Sequence, residues 1–140
     1  MNSISRIIEG LQLALRNEDI NEMASVGRLP DDPSIEIFVH SNDGGNIPHF
    51  HVWKRKNSGY REWETCLMFQ EASYFKHKKF HTDIKTSIAK EIDKFLRSPD
   101  PEFGGAVTNW QTAVAEWNRN NSSMKLVRNI QQPDYSKLNK

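Results

Sequence analysis

FVHSNDGGNIPHFHVWKR, residues 38–55, decides the fold of this 140-residue chain. Apolar and polar side chains alternate on both sides of the turn cluster SNDGGN, whose glycines permit positive φ. The stretch therefore reads as two strands of an antiparallel hairpin. It also holds three of the five histidines, and His49 and His51 stand one residue apart behind Pro48. Residues i and i+2 of a strand point the same way, roughly 6.5–7 Å apart. Whichever face takes one of these imidazoles takes both.

Working outward, SIEIFVH alternates Ile35, Ile37 and Val39 with Glu36, Phe38 and His40. Downstream, KNSGY is a second turn and REWETCLMF a third strand. The simplest register buries Ile35, Ile37, Val39, Phe50, Val52, Trp63, Leu67 and Phe69 on one face. Phe38, His40, His49, His51 and Trp53 then share the other, which is half aromatic and half titratable.

The flanks read as helices. Ile4, Ile7, Ile8, Leu11 and Leu15 form one stripe near the start, with Ser3 or Asn2 as its cap. A short helical turn is expected over DINEMASV, before Gly27, and LPDDPS is a loop. HTDIKTSIAKEIDKFLRS predicts a helix capped by Thr82, with Asp83 suited to its dipole. Ile84, Ile88, Ile92, Phe95 and Leu96 lie on its inner stripe, and Asp93 and Arg97 pair one turn apart outside. TNWQTAVAEWNRNN predicts another helix, capped by Thr108, with Trp110, Val114 and Trp117 on one face. The expected fold is α+β: a small three-stranded antiparallel meander packed against N-terminal and C-terminal helices. Residues 1–120 are expected to form a single globular domain, with 121–140 a polar C-terminal strap or tail.

Composition narrows the class of protein. The hydrophobic share is 36% and the charged share 26%, a polar but globular balance. The apolar runs are too short to span a bilayer, and the N-terminus lacks the pattern of a secretory signal. A lone cysteine, Cys66, excludes an internal disulfide framework and fits a reducing compartment, so a cytoplasmic protein without membrane partners is expected. Net charge is +1, but residues 1–48 hold three basic and eight acidic side chains, and residues 51–97 eleven and six. Such polarity steers an anionic partner to one side of the molecule, or lets two copies form a homodimer.

NIPHFHVWKR resembles the signature of a small bacterial family of unknown function, whose strand reads Pro-Pro-His-Phe-His-Val. EIDKFLRS, TNWQTAVAEWNRNN and PDYSKL extend the likeness toward a longer variant from gut bacteria and mobile elements, over residues 34–138. Ile47 stands where that signature has its first proline, and Asp43-Gly44-Gly45 where the family often has another histidine. The resemblance implies a short meander followed by one or two helices. For function it implies a regulatory or toxin role in a two-gene toxin–antitoxin cassette; encoded by a phage or mobile element, such a protein would be directed at host defence or sequester a nucleotide signal.

Three chemistries follow from the residues themselves. His49 and His51, joined by His40 across the hairpin or by Asp43 in the turn, supply a partial ligand set for zinc or non-haem iron. The plainer expectation is packing without any cofactor. Trp53, Lys54 and Arg55, followed by Lys56, and the run Lys76, His77, Lys78, Lys79 form a basic face. With Tyr74, Phe75 and Phe80 interleaved, it suits a nucleotide or nucleic-acid partner, or a protein. Cys66, beside Met68 on its strand face, reads as a small core residue rather than a nucleophile. No phosphate loop, nucleophile elbow or complete catalytic set is present. The leading expectation is a small non-enzymatic binding or regulatory module. The alternative is a toxin-like nuclease that depends on histidine or a metal.

Overall fold

The computed structural model describes residues 23–40, 47–56, 60–75, 82–121, 125–126 and 129–139. The expected first helix, Asp43 and the 76–81 run lie outside these residues. β1 (Met23–Arg28), β2 (Ile35–His40), β3 (His49–Arg55) and β4 (Arg61–Met68) form one antiparallel sheet in sequence order. α1 (Thr86–Arg97) and α2 (Asn109–Asn120) follow, each twelve residues long. The α+β class holds, but the meander has four strands rather than three.

The additional strand corrects the helical turn expected over DINEMASV, whose last four residues open β1. Met23 to Ser25 pair residue by residue with His40 to Phe38, and the register then slips between Ser25 and Gly27. That bulge hides the alternation that marks a strand in sequence. Gly27 sits at φ 151°, and a Cβ there would meet the Phe95 ring at 2.8 Å. Glycine is therefore required where the Phe95 ring of α1 lies against the edge strand.

One sheet face carries the core. Ile35, Ile37, Val39, Phe50, Val52, Leu67 and Phe69 are fully buried, as alternation predicts, and Trp63 is half-buried against them. α1 contributes Ala89, Ile92, Phe95 and Leu96, and α2 contributes Trp110, Ala113, Val114 and Trp117.

α2 begins with a capping box: Thr108 Oγ1 accepts from the Gln111 amide, and the Gln111 side chain accepts from the Thr108 amide. The cap predicted at Thr82 does not form. α1 starts four residues later, with Lys85 at its N-cap position and no side-chain cap. The backbone ahead of it is engaged elsewhere. The Ile84 amide donates to Tyr74 Oη at 2.9 Å, and its carbonyl accepts from Asn139 Nδ2 at 2.6 Å.

Asp93 ties the C-terminal residues to α1. It pairs with Arg97 as the spacing predicts, and also accepts from Gln132 Nε2 and the Tyr135 amide, each at 3.0 Å. Tyr135 is fully buried, and its hydroxyl donates to the Met68 carbonyl at 2.5 Å. No helix among the described residues is long and apolar enough to cross a membrane.

Two outcomes follow. Gly27→Ala is expected to cost about 1–3 kcal/mol in denaturant unfolding, from overpacking against Phe95. Burial holds the Tyr135 phenol well above its ordinary value of 10.0. Above that pH the unfolded chain releases the proton while the folded chain retains it. Tyr135 therefore contributes fully below pH 10.0, and stability falls as pH rises beyond it. Tyr135→Phe should flatten most of that alkaline slope and cost about 1–2 kcal/mol at neutral pH.

Candidate functional site

The second sheet face gathers the titratable residues by cross-strand register. Phe38 lies opposite His51 and Glu36 opposite Trp53 between β2 and β3. His51 lies opposite Cys66, Trp53 opposite Glu64, and His49 opposite Met68 between β3 and β4. The expected grouping of Phe38, His40, His49, His51 and Trp53 is therefore present. This face is buried: His49 is 0% exposed, His51 1% and Trp53 7%, while His40 is half-buried.

Two carboxylates anchor it. Glu64, itself buried, accepts from His51 Nδ1 at 2.7 Å and from Arg61 Nη1 at 2.5 Å. Glu36 accepts from Ser25 Oγ at 2.7 Å, Trp53 Nε1 at 3.0 Å and Arg55 Nη2 at 2.8 Å. A buried carboxylate is tolerated only when its oxygens are filled in this way. Arg61 and Arg55 also stack on Trp53, at 4.1 and 4.9 Å from the ring centroid. The indole is thus tied down at its nitrogen and across its ring.

The imidazoles pack against one another around His51. Its ring centroid is 4.4 Å from that of His40, 5.3 Å from His49 and 5.1 Å from Phe38. Phe75 lies 4.5 Å from His49 and Trp117 5.5 Å. Phe75 is brought there because its amide donates to the Cys66 carbonyl, as residues 73–75 fold back along β4. His49 Nδ1 is 2.7 Å from the Ile47 carbonyl. A carbonyl only accepts, so Nδ1 carries the proton.

Cys66 is buried as expected, yet it lies beside the histidines rather than in the apolar core. Its Sγ is 3.3 Å from His51 Nδ1 and 3.7 Å from Nε2. Two triads bring ligand atoms within 4.8 Å of one another: His49, His51 and Cys66, and His40, His51 and Glu64. Sequence reasoning put Glu36 on the side of Phe38 and His40 without giving it a role, and missed Glu64, Arg61 and Cys66 as members of this face. The signal was available, since β4 alternates Glu64, Cys66 and Met68 against the apolar positions. Using it requires the register across the second hairpin.

Among the described basic residues, Lys54 and Arg55 turn to opposite sides of the sheet. Alternation sends Arg55 to the histidine face and turns Lys54 the other way, where its Nζ lies 3.5 Å from Asp32. Hydrogen bonds from Ser34 hold the Asp32 carboxyl below its ordinary value. Lys76, His77, Lys78 and Lys79 lie outside the described residues, as does Asp43. A shallow cavity of about 430 Å³, lined by Arg97, Trp110, Gln111 and Gln132 among others, involves none of the histidine-face side chains. No protein-family model, curated protein or solved structure matches this chain.

The contacts of Glu36 give a direct expectation. Glu36→Ala strips the acceptor from the Trp53 indole and from Arg55, and should cost about 2–3 kcal/mol in urea unfolding. Arg55→Ala removes only the half-exposed partner and should cost less than about 1 kcal/mol.

Proposed function

We propose that the chain is a small non-enzymatic binding module that takes a phosphate-bearing nucleotide partner at the β3–β4 end of the sheet. One observation carries this reading: Arg55 and Arg61 are direct cross-strand neighbours. Like charges placed opposite one another destabilise a sheet. Here each guanidinium is held by a buried carboxylate and stacks on Trp53, while the Arg55 and Arg61 side chains stay 39% and 43% exposed. Two pre-oriented guanidiniums suit a phosphate, which accepts paired N–H donors. Tyr60, adjacent to Arg61 and 73% exposed, offers a ring for a base to stack on.

Burial weighs against the nuclease alternative. A general base or an open metal must reach the scissile phosphate, and His49 and His51 are nearly inaccessible. In the setting that the sequence resemblance implies, a mobile element, such a module would sequester a nucleotide signal of host defence.

The test uses an end-labelled single-stranded oligoribonucleotide and the full chain at low salt. Binding should weaken with added salt and fall at least about tenfold in Tyr60→Ala, whose side chain makes little contact with the fold. The oligonucleotide should remain intact. Absence of binding at low salt would sink the proposal. Cleavage that disappears in a folded His51→Ala variant would establish the nuclease reading instead.

A further inference from the structure

His49, His51 and Cys66 share two features with a metal site, the hydrogen bonding of their imidazoles and the closeness of their ligand atoms. A metal-binding histidine typically donates its other ring N–H to a carboxylate or a backbone carbonyl, which fixes the tautomer and turns the ligand nitrogen toward the ion. Both histidines of the His49, His51 and Cys66 triad do this. His51 Nδ1 meets Glu64 Oε2, and His49 Nδ1 meets the Ile47 carbonyl, each at 2.7 Å. In a neutral ring these bonds put the lone pair on Nε2 in both residues. Glu64 is itself steadied by Arg61.

The third donor is a thiol. Cys66 Sγ lies 3.3 Å from His51 Nδ1 and 3.7 Å from its Nε2, and His49, His51 and Cys66 bring ligand atoms within 4.8 Å of one another. Around a tetrahedral zinc ion, sulfur at about 2.3 Å and nitrogen at 2.0–2.1 Å stand roughly 3.5 Å apart.

We propose that His49 Nε2, His51 Nε2 and Cys66 Sγ bind a zinc ion on the buried face, with Glu64 as the carboxylate that positions His51. Two imidazoles and a thiolate match the preference of zinc for nitrogen and sulfur. Binding releases the Cys66 thiol proton to solvent and leaves one thiolate and two neutral imidazoles on the ion. The remaining coordination position is filled by water or by His40, whose ring is the next imidazole outward. All three ligands are at most 1% exposed, so the ion holds β3 to β4 rather than working on a substrate. This site does not depend on the nucleotide reading, and it takes Cys66 as the third ligand, Asp43 lying outside the described residues.

Because Cys66 is the only cysteine, cobalt reports on it without ambiguity. The full chain, stripped with a chelator, is titrated with Co²⁺ and then with Zn²⁺. One equivalent should bind, with a thiolate-to-cobalt charge-transfer band and the strong visible bands of a tetrahedral centre, both displaced by zinc. Cys66→Ser should abolish the charge-transfer band. Glu64→Gln should keep that band but weaken zinc binding about 10–100-fold. Circular dichroism checks that each variant is folded. Should Cys66→Ser fail to fold, zinc must still slow modification of the wild-type thiol by a small alkylating reagent. A folded wild type without the charge-transfer band overturns the proposal. So does a band that survives in Cys66→Ser, or a thiol that zinc leaves unprotected.

Discussion

Glu36 and Glu64 are buried on one face of a four-stranded sheet, and their need for partners organises that face. An ionised carboxylate removed from water is costly unless hydrogen bonds and opposite charge replace the lost hydration. Glu64 meets that need with His51 and Arg61, and Glu36 with Ser25, Trp53 and Arg55. Each of these donors is thereby fixed in direction. The imidazole of His51 is held against Cys66, and the two arginines are held beside Trp53 with their side chains half-exposed. An apolar replacement for either glutamate would bury comfortably but leave these groups without an anchor.

The opposite face works by a different principle. There the sheet, α1 and α2 bury an apolar layer, and the residues around Tyr135 close it from below. Asp93 connects the layers, since it accepts from α1 and from the C-terminal residues together. Strands of this sheet are thus buried on both sides, which is unusual for a short antiparallel meander. The apolar face supplies most of the stabilisation. The polar face supplies directional contacts that fix the register, because a one-residue slip of β4 would remove Glu64 from His51.

Sequence reasoning recovered what alternation encodes. Ile35, Ile37, Val39, Phe50 and Val52 fell on the core face, and His49, His51 and Trp53 on the other, because a period of two leaves no alternative within a strand. The Thr108 cap was equally legible, since Thr108 and Gln111 have the spacing of a capping box. β1 was not, because its bulge at Gly27 breaks the period and its Met and Ala favour a helical reading. The start of α1 was misplaced because Ile84 is held by Tyr74 and Asn139, contacts that span ten and fifty-five residues. Cys66 was read from its own strand alone. Its relation to the histidines depends on pairing across a hairpin, which composition does not specify.

The central claim is that Glu64 and the Ile47 carbonyl set the tautomers of His51 and His49, so that both rings carry the proton on Nδ1 and the lone pair on Nε2. Long-range ¹H–¹⁵N correlation spectra of the histidine rings in the metal-stripped protein read this directly. The account predicts the proton on Nδ1 and the lone pair on Nε2 in both residues. A spectrum with either ring protonated on Nε2 and bare at Nδ1 would contradict it.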